Sequence, residues 1–254
     1  MRVLVPFGAR DPKSRLSSLF SPAERRTLAE TMLADVLGAL SDHEPVVVAN
    51  APVETPVPTQ IDQRPLTTAV NARLGDEPTA VVMADLPLVR RETIARLLNT
   101  DADVVVAPGL GGGTNPLVVR DGDFETDYHG VSVRDHRERA RAVGATVATV
   151  DSYRLGVDID EPADLVEVLL HGERETPAWL RDRGGRAETT DGRTQFRLDG
   201  RDLYHVGSNN FTVARRTYKC ASPARAGRAD PELPFEGTLT VTGSARTFPR
   251  SARI

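Results

Sequence analysis

"VVMADLPLV", residues 81–89, holds five apolar side chains in its first six positions and then forbids its own continuation. With Thr79 and Ala80 before it, the run reads as a buried strand over 79–84. Asp85 follows, and Pro87 cannot donate to a sheet ladder. A charge carried to the end of an apolar strand that then stops is where a parallel sheet presents its chemistry. In such sheets ligands bind beyond the carboxyl ends of the strands.

Working outward, the same kind of strand recurs. "RVLVP" (2–6), "PVVVA" (45–49), "ADVVVAP" (102–108), "PLVV" (116–119), "ATVATV" (145–150) and "YRLGVDID" (153–160) all read as strands. Helices are expected at 21–40, 64–74, 90–99, 132–144 and 161–172. The first is the best defined. Ser21 caps it, Pro22 suits its first turn, Glu24 completes a capping box, and Leu28, Met32, Val36 and Leu40 make one apolar stripe. Near-continuous apolar strands alternating with helices predict an α/β fold, a mostly parallel sheet covered by helices on both faces.

The 254 residues are 39% hydrophobic and 27% charged, the composition of a globular domain with an appendage. No apolar run is long enough to cross a bilayer, and the N-terminus lacks a secretory core, so a cytoplasmic protein is expected. Cys220 is the only cysteine, which excludes a disulfide framework and any multi-cysteine metal cluster. Residues 1–180 carry 28 acidic against 18 basic side chains, and residues 181–254 carry 8 against 14. The change of sign marks 1–183 as the folded domain and 184–254 as a basic, poorly patterned and partly disordered extension, with a small hairpin at 193–206. Its charge is modest and its aromatics sparse, so neither nucleic acid nor a membrane is an expected partner.

The chemistry-bearing residues lie at the ends of the expected strands. Asp158 and Asp160 in "GVDID" are two apart, so in an extended segment they point the same way. If they meet Asp85 at one sheet edge, the three carboxylates repel one another unless a cation stands between them, and hard oxygens suit Mg²⁺ or Mn²⁺. The competing reading makes Asp160 a helix cap and Asp158 a solvated strand end. "GLGGGTNPLVV" (109–119) has Thr114 where a dinucleotide fingerprint needs glycine, and no Gly-Lys-Ser/Thr of a P-loop, so neither standard phosphate loop fits. In "YHGVSVRDH" (128–136), Gly130 and Ser132 open a helix, where an anion or an ordinary Ser cap with Asp135 would both be at home. His129 and His136 read as polar surface residues. Lys13 and Arg15, in the first strand-to-helix loop, can embrace a triphosphate or simply be solvated.

Taken in order, "VPFGARDPKSRL", "ERRTLAETMLADVL", "ADLPL", "APGLGGGTNPLVV", "HGVS" and "GVDIDEPADL" resemble the phospholactate guanylyltransferases (CofC type) of coenzyme F-420 biosynthesis over about residues 1–175. The resemblance implies a Rossmann-like nucleotidyltransferase fold. It also implies transfer of GMP from GTP to (2S)-2-phospholactate, or in some relatives to phosphoenolpyruvate. By the same resemblance, Asp85, Asp158 and Asp160 hold the divalent ion, and Lys13 and Arg15 hold the triphosphate. Thr114, Gly130 and Ser132 contact the acceptor, and Asn71 lies near the nucleotide. Lys13 and Asp85 are then the catalytic pair. Relatives can dimerise, so a homodimer is carried as an expectation. The rivals are another phosphorylated acceptor, such as a sugar phosphate or a molybdopterin, and a non-catalytic nucleotide-binding scaffold. A molybdopterin enzyme usually opens with a glycine-rich loop that "VPFGARDPK" lacks.

Overall fold

The computed structural model describes residues 1–199 and the backbone of strands 201–206 and 211–216. Seven strands form one sheet: β1 (Arg2–Phe7), β2 (Pro45–Ala49), β3 (Thr59–Ile61), β4 (Thr79–Val81), β5 (Val104–Pro108), β6 (Thr114–Val119) and β7 (Val147–Thr149). Their order is β3-β2-β1-β4-β6-β5-β7. All neighbouring pairs are parallel except those made by β6, which runs antiparallel to both β4 and β5.

The central strands β1, β2, β4, β5 and β6 are largely apolar because both faces are covered. Val3, Val5 and Phe7 of β1, Ala80 of β4, Val105 and Ala107 of β5 and Val118 of β6 enter one core cluster. The alternate residues Val81, Val104, Val106, Leu117 and Val119 enter another, with Val70, Val133 and Ala140. Strand alternation therefore feeds two cores from one sheet. The first core is closed by α1 (Pro22–Ala39), α3 (Arg91–Leu98), α6 (Leu165–His171) and α7 (Glu175–Asp182), and the second by α2 (Leu66–Asn71) and α4 (Ser132–Ala142). Ser21 and Glu24 form the expected capping box of α1. None of the described helices is long and apolar enough to cross a membrane.

Several elements differ from the sequence expectation. β4 ends at Val81, although the backbone stays beside β1 for one more residue, Val82 donating to the Leu4 carbonyl at 2.9 Å. Residues 153–160 are not a strand. Tyr153–Gly156 make one helical turn, α5, and the chain then runs past the end of β4, with Ile159 donating to the Asp85 carbonyl at 3.2 Å. β3, too short and exposed to leave a pattern, joins the sheet edge, and α7 follows α6 after a short break. Two further strands, β8 (Gly185–Thr190) and β9 (Arg193–Leu198), form a hairpin whose Phe196 and Leu198 belong to the first core. Phe196 meets Phe20, which in turn makes an edge contact with Trp179 of α7 at 5.4 Å. The described hairpin thus starts earlier than 193, and it packs with the residues before 183. Beyond it, β10 (Arg201–Val206) and β11 (Phe211–Arg216) continue the small sheet. The rest of the expected extension lies outside the described residues.

Candidate active site

The loop after β1 is held from beneath. Arg25, buried on α1, donates to the Pro12 carbonyl (2.8 Å) and to Asp11 Oδ1 (2.8 Å). Asp11 and Lys13 both have positive φ, 42° and 53°, a region that costs a side-chain-bearing residue about 1 kcal/mol or more. The loop is therefore bent against its own preference, and the Arg25 contacts help to keep it so. The bend delivers Lys13 to the carboxyl end of β4, where its side chain is only 10% exposed.

There Lys13 Nζ lies 2.7 Å from Asp85 Oδ2 and 3.0 Å from Asp160 Oδ1. Arg15 donates to the other oxygen of Asp160 at 3.1 Å. Burial alone would lower the Lys13 pKa, but the two carboxylates outweigh it and hold the ammonium above its ordinary value. These four side chains stand on the wall of a cleft of about 530 Å³, with α1 and α2 contributing Ala29, Met32, Leu66 and Ala69.

Asp158 belongs to an adjoining cluster. Its Oδ1 accepts from Asn115 Nδ2 at 3.2 Å, and the same amide nitrogen donates to the Leu155 carbonyl at 2.9 Å. Burial, assisted by repulsion from Asp85 and Asp160, raises the Asp158 pKa against the opposing Asn115 hydrogen bond. Thr114, next along β6, donates its backbone amide to Ser132 Oγ at 2.9 Å. Its hydroxyl meets His136 Nδ1 at 2.8 Å, while His136 Nε2 accepts from the Asp127 amide at 2.8 Å. The amide bond fixes the imidazole proton on Nδ1, so Thr114 Oγ1 accepts and keeps its own proton free to donate.

The expected residues thus fall into two groups and two separate positions. Lys13, Arg15, Asp85 and Asp160 share the cleft, whereas Thr114, Ser132 and Asp158 stand beside it in the second cluster. Asn71 is in neither. It ends α2, and its amide ties down Thr126, accepting from Thr126 N at 2.8 Å and donating to Thr126 O at 3.1 Å. Gly130 lies in the exposed turn before α4 with φ 55°. Ser132 does not cap that helix. Val131 is the N-cap, and the Ser132 hydroxyl serves Thr114. His136 is fully buried, contrary to the expected surface position, because its two ring nitrogens find partners inside. The glycine loop is a tight turn joining β5 to β6, with Gly109 donating to Gly113 O at 2.8 Å. A Cβ on Gly109 would meet Asn115 Oδ1 at 2.9 Å, and one on Gly112 (φ 84°) would meet Val131 at 3.0 Å.

Three residues escape a reading by motif: Arg25, Asn115 and His136. Arg25 carried a signal, since it stands three positions before Leu28, in line with the apolar stripe of α1. Among the described residues no three acidic, histidine or cysteine side chains already form a set able to hold a metal ion. The cation between Asp85 and Asp160 is the Lys13 ammonium, and Asn115 engages Asp158. The donor chemistry nevertheless suits a hard divalent cation. Three carboxylates share the region, and burial with their mutual repulsion raises the Asp158 pKa.

The family model described as "Guanylyl transferase CofC like" matches residues 1–197. A protein of Haloarcula marismortui named 2-phospho-L-lactate guanylyltransferase is 53% identical over 201 residues, covering 76% of this chain and 97% of its own length. One of the same name from Haloferax volcanii is 54% identical over 200 residues, covering 77% and 97%. Among solved structures, one from Desulfovibrio desulfuricans G20 named as a nucleotide-diphospho-sugar transferase superposes with a TM-score of 0.59 at 16% identity, covering 72% of this chain and 96% of its own. That likeness shows the α/β fold in a distant sequence, and the match of residues 1–197 to the family model shows that this chain belongs to the CofC-like guanylyl transferases.

Proposed function

We propose that the protein transfers GMP from GTP to (2S)-2-phospholactate, giving (2S)-lactyl-2-diphospho-5′-guanosine and pyrophosphate, the guanylylation step of coenzyme F-420 biosynthesis. The observation that carries this reading is the Lys13 ammonium held between Asp85 and Asp160 on the wall of a cleft large enough for a nucleotide. An oxygen of the acceptor phosphate attacks the α-phosphorus of GTP, a new P–O bond forms, and the α–β phosphoanhydride bond breaks. The nucleophile is already an anion, so no general base is needed. The catalytic task is to cancel repulsion between two anions and to align them.

Lys13 and Arg15 supply positive charge for the departing pyrophosphate. Arg25 keeps the loop that carries Lys13 in its bent form and is a positioning residue. Thr114 and Ser132 present hydroxyl donors for the phosphate and carboxylate of the acceptor, with His136 fixing the direction of the Thr114 hydroxyl. Gly130 lets the turn beside them approach the acceptor, while Asn71 acts at one remove by fastening residue 126. Asp85, Asp158 and Asp160 would hold Mg²⁺ or Mn²⁺, which when bound neutralises phosphate charge. The domain carrying this activity is residues 1–183 with the hairpin packed on it, in the cytoplasm and as a homodimer, the last tested by sedimentation of the purified protein. The transfer is tested by mass spectrometry of the product from GTP and Mg²⁺ with phospholactate or phosphoenolpyruvate. A guanylylated phospholactate is expected. GTP binding without any guanylylated product from either acceptor would refute the reading and favour a nucleotide-binding scaffold.

A further inference from the structure

The wall of the cleft beyond β2, which lies across β1 from β4 and Asp85, is not used by any step above. Asn50 follows β2 directly and lines that wall. Its Oδ1 accepts two backbone amides of the Lys13 loop, Ala9 N at 2.8 Å and Arg10 N at 3.1 Å. This double acceptance fixes the orientation of the amide. The oxygen is committed to the loop, so the opposite end is Nδ2, which can only donate.

Arg64 stands on the same wall. Its Nε and Nη2 donate to Asp62 Oδ1 and Oδ2 at 2.9 and 2.6 Å, a side-on bidentate pair, and Arg73 adds a bond to Oδ2 at 2.6 Å. The Arg64 backbone amide also donates to Asp62 Oδ1, at 3.1 Å. Asp62 therefore accepts four hydrogen bonds, and Arg64 first and Arg73 second hold its carboxyl well below the usual carboxylate range. Its side chain is 6% exposed and that of Arg64 51% exposed. Asp62 is thus spent on holding the guanidinium flat. Among the described residues Arg64 Nη1 donates to no other group. The wall offers donors from Asn50 and Arg64, and its one carboxylate has no acceptor left. Leu66, Ala69 and Val70 of α2 add an apolar surface on which a purine ring can lie.

Guanine and adenine differ at the edge such a wall would meet. Guanine presents two acceptors, O6 and N7, whereas adenine presents the N7 acceptor beside the N6 amino donor. Donors facing a donor leave both unpaired in a partly closed site, which costs more than the pair gains. We infer that Asn50 and Arg64 read the O6/N7 edge of the nucleotide base and are the residues that select a 6-oxo purine over a 6-amino purine. This rests on the reading that the cleft takes the nucleoside triphosphate.

Binding titrations by calorimetry, with Mg²⁺ and without acceptor, test the inference separately from transfer. The wild-type protein is expected to bind GTP and ITP within about threefold of each other and ATP at least tenfold more weakly, the range one well-placed base contact supplies. Arg64→Met, on an exposed side chain, leaves Asp62 paired with Arg73 and should shrink the GTP-over-ATP preference about tenfold. Asn50→Asp keeps one oxygen for the loop amides and turns the cleft-facing donor into an acceptor, so it should move the ratio toward ATP. Thermal melts confirm that both variants are folded. Unchanged GTP/ATP ratios in the folded variants, or a wild type that binds ITP as weakly as ATP, overturn the assignment. Selective GTP binding without product formation leaves it standing and removes the transferase reading instead.

Discussion

Lys13 holds a costly backbone conformation and a mostly buried charge, and both are explained by the two carboxylates it bridges. Lys13→Met removes the cation and leaves Asp85 and Asp160 facing each other. We expect transfer to fall at least a hundredfold with the far-ultraviolet circular dichroism unchanged, since the side chain ends at the cleft and not in a core. His136 makes a second prediction at this scale. Burial lowers its pKa to about 4, against the ordinary 6.5 of the unfolded chain. Between those values the unfolded state binds a proton that the folded state refuses. The stability contribution is therefore complete above pH 6.5 and is lost as pH falls toward 4. Denaturant midpoints at pH 7 and 4.5 should reveal a loss of roughly 2 to 3 kcal/mol, and His136→Gln should flatten that part of the slope. In the sequence, Lys13, Asp85 and Asp160 are legible as chemistry because each follows an apolar run that reads as a strand, although the run before Asp160 folds otherwise. Asn115 and His136 are not, because the Leu155 carbonyl, the Asp158 carboxylate, the Asp127 amide and the Thr114 hydroxyl that they bond lie 9 to 43 residues away in the chain. A polar residue satisfied in that way leaves no periodic trace.

Among the elements, α7 shows how tertiary contacts create structure that local pattern does not announce. Asp35, buried on α1, accepts from Glu175 N (2.8 Å), Thr176 N (3.0 Å) and Thr176 Oγ1 (2.6 Å), and so caps α7 from another helix. Nothing near Glu175 in the sequence supplies that cap. Asp35→Ala leaves the two Thr176 donors buried without this partner, and a loss of about 2 to 4 kcal/mol is expected in urea unfolding. The turn between β5 and β6 makes the opposite point. Its glycines are plain in the sequence, but their use is to close a hairpin with an antiparallel strand, which alternation of strands and helices does not reveal. Gly112→Val should cost about 2 kcal/mol or more, because positive φ and the contact with Val131 both oppose a branched side chain. The central strands were the most readable elements, since burial on both faces demands apolar residues along most of their length. Residues 153–160 misled for the same reason. Leu155, Val157 and Ile159 are buried apolar residues spaced by two, yet the first belongs to a helical turn.

For the molecule as a whole, the sheet gathers residues from the beginning, middle and end of the described chain at one edge, and the hairpin of β8 and β9 closes the core behind it. Phe196 is buried against Phe20, so Phe196→Ala should lower the stability of the domain by about 3 to 5 kcal/mol, as read from chemical denaturation. The change of net charge near residue 181 suggested a boundary just before this hairpin, because surface charge reports what is exposed and not what packs beneath. The parallel architecture was legible and the antiparallel β6 was not, since a fully buried strand reads the same in either direction. The most direct measurement of the central claim is a single-turnover reaction of the purified protein with GTP labelled at the α-phosphate, Mg²⁺ and 2-phospholactate, run beside Asp85→Asn. The label should pass to the acceptor in the wild type and stay in GTP in the variant. Label reaching the acceptor at the same rate in a folded Asp85→Asn protein would contradict the account.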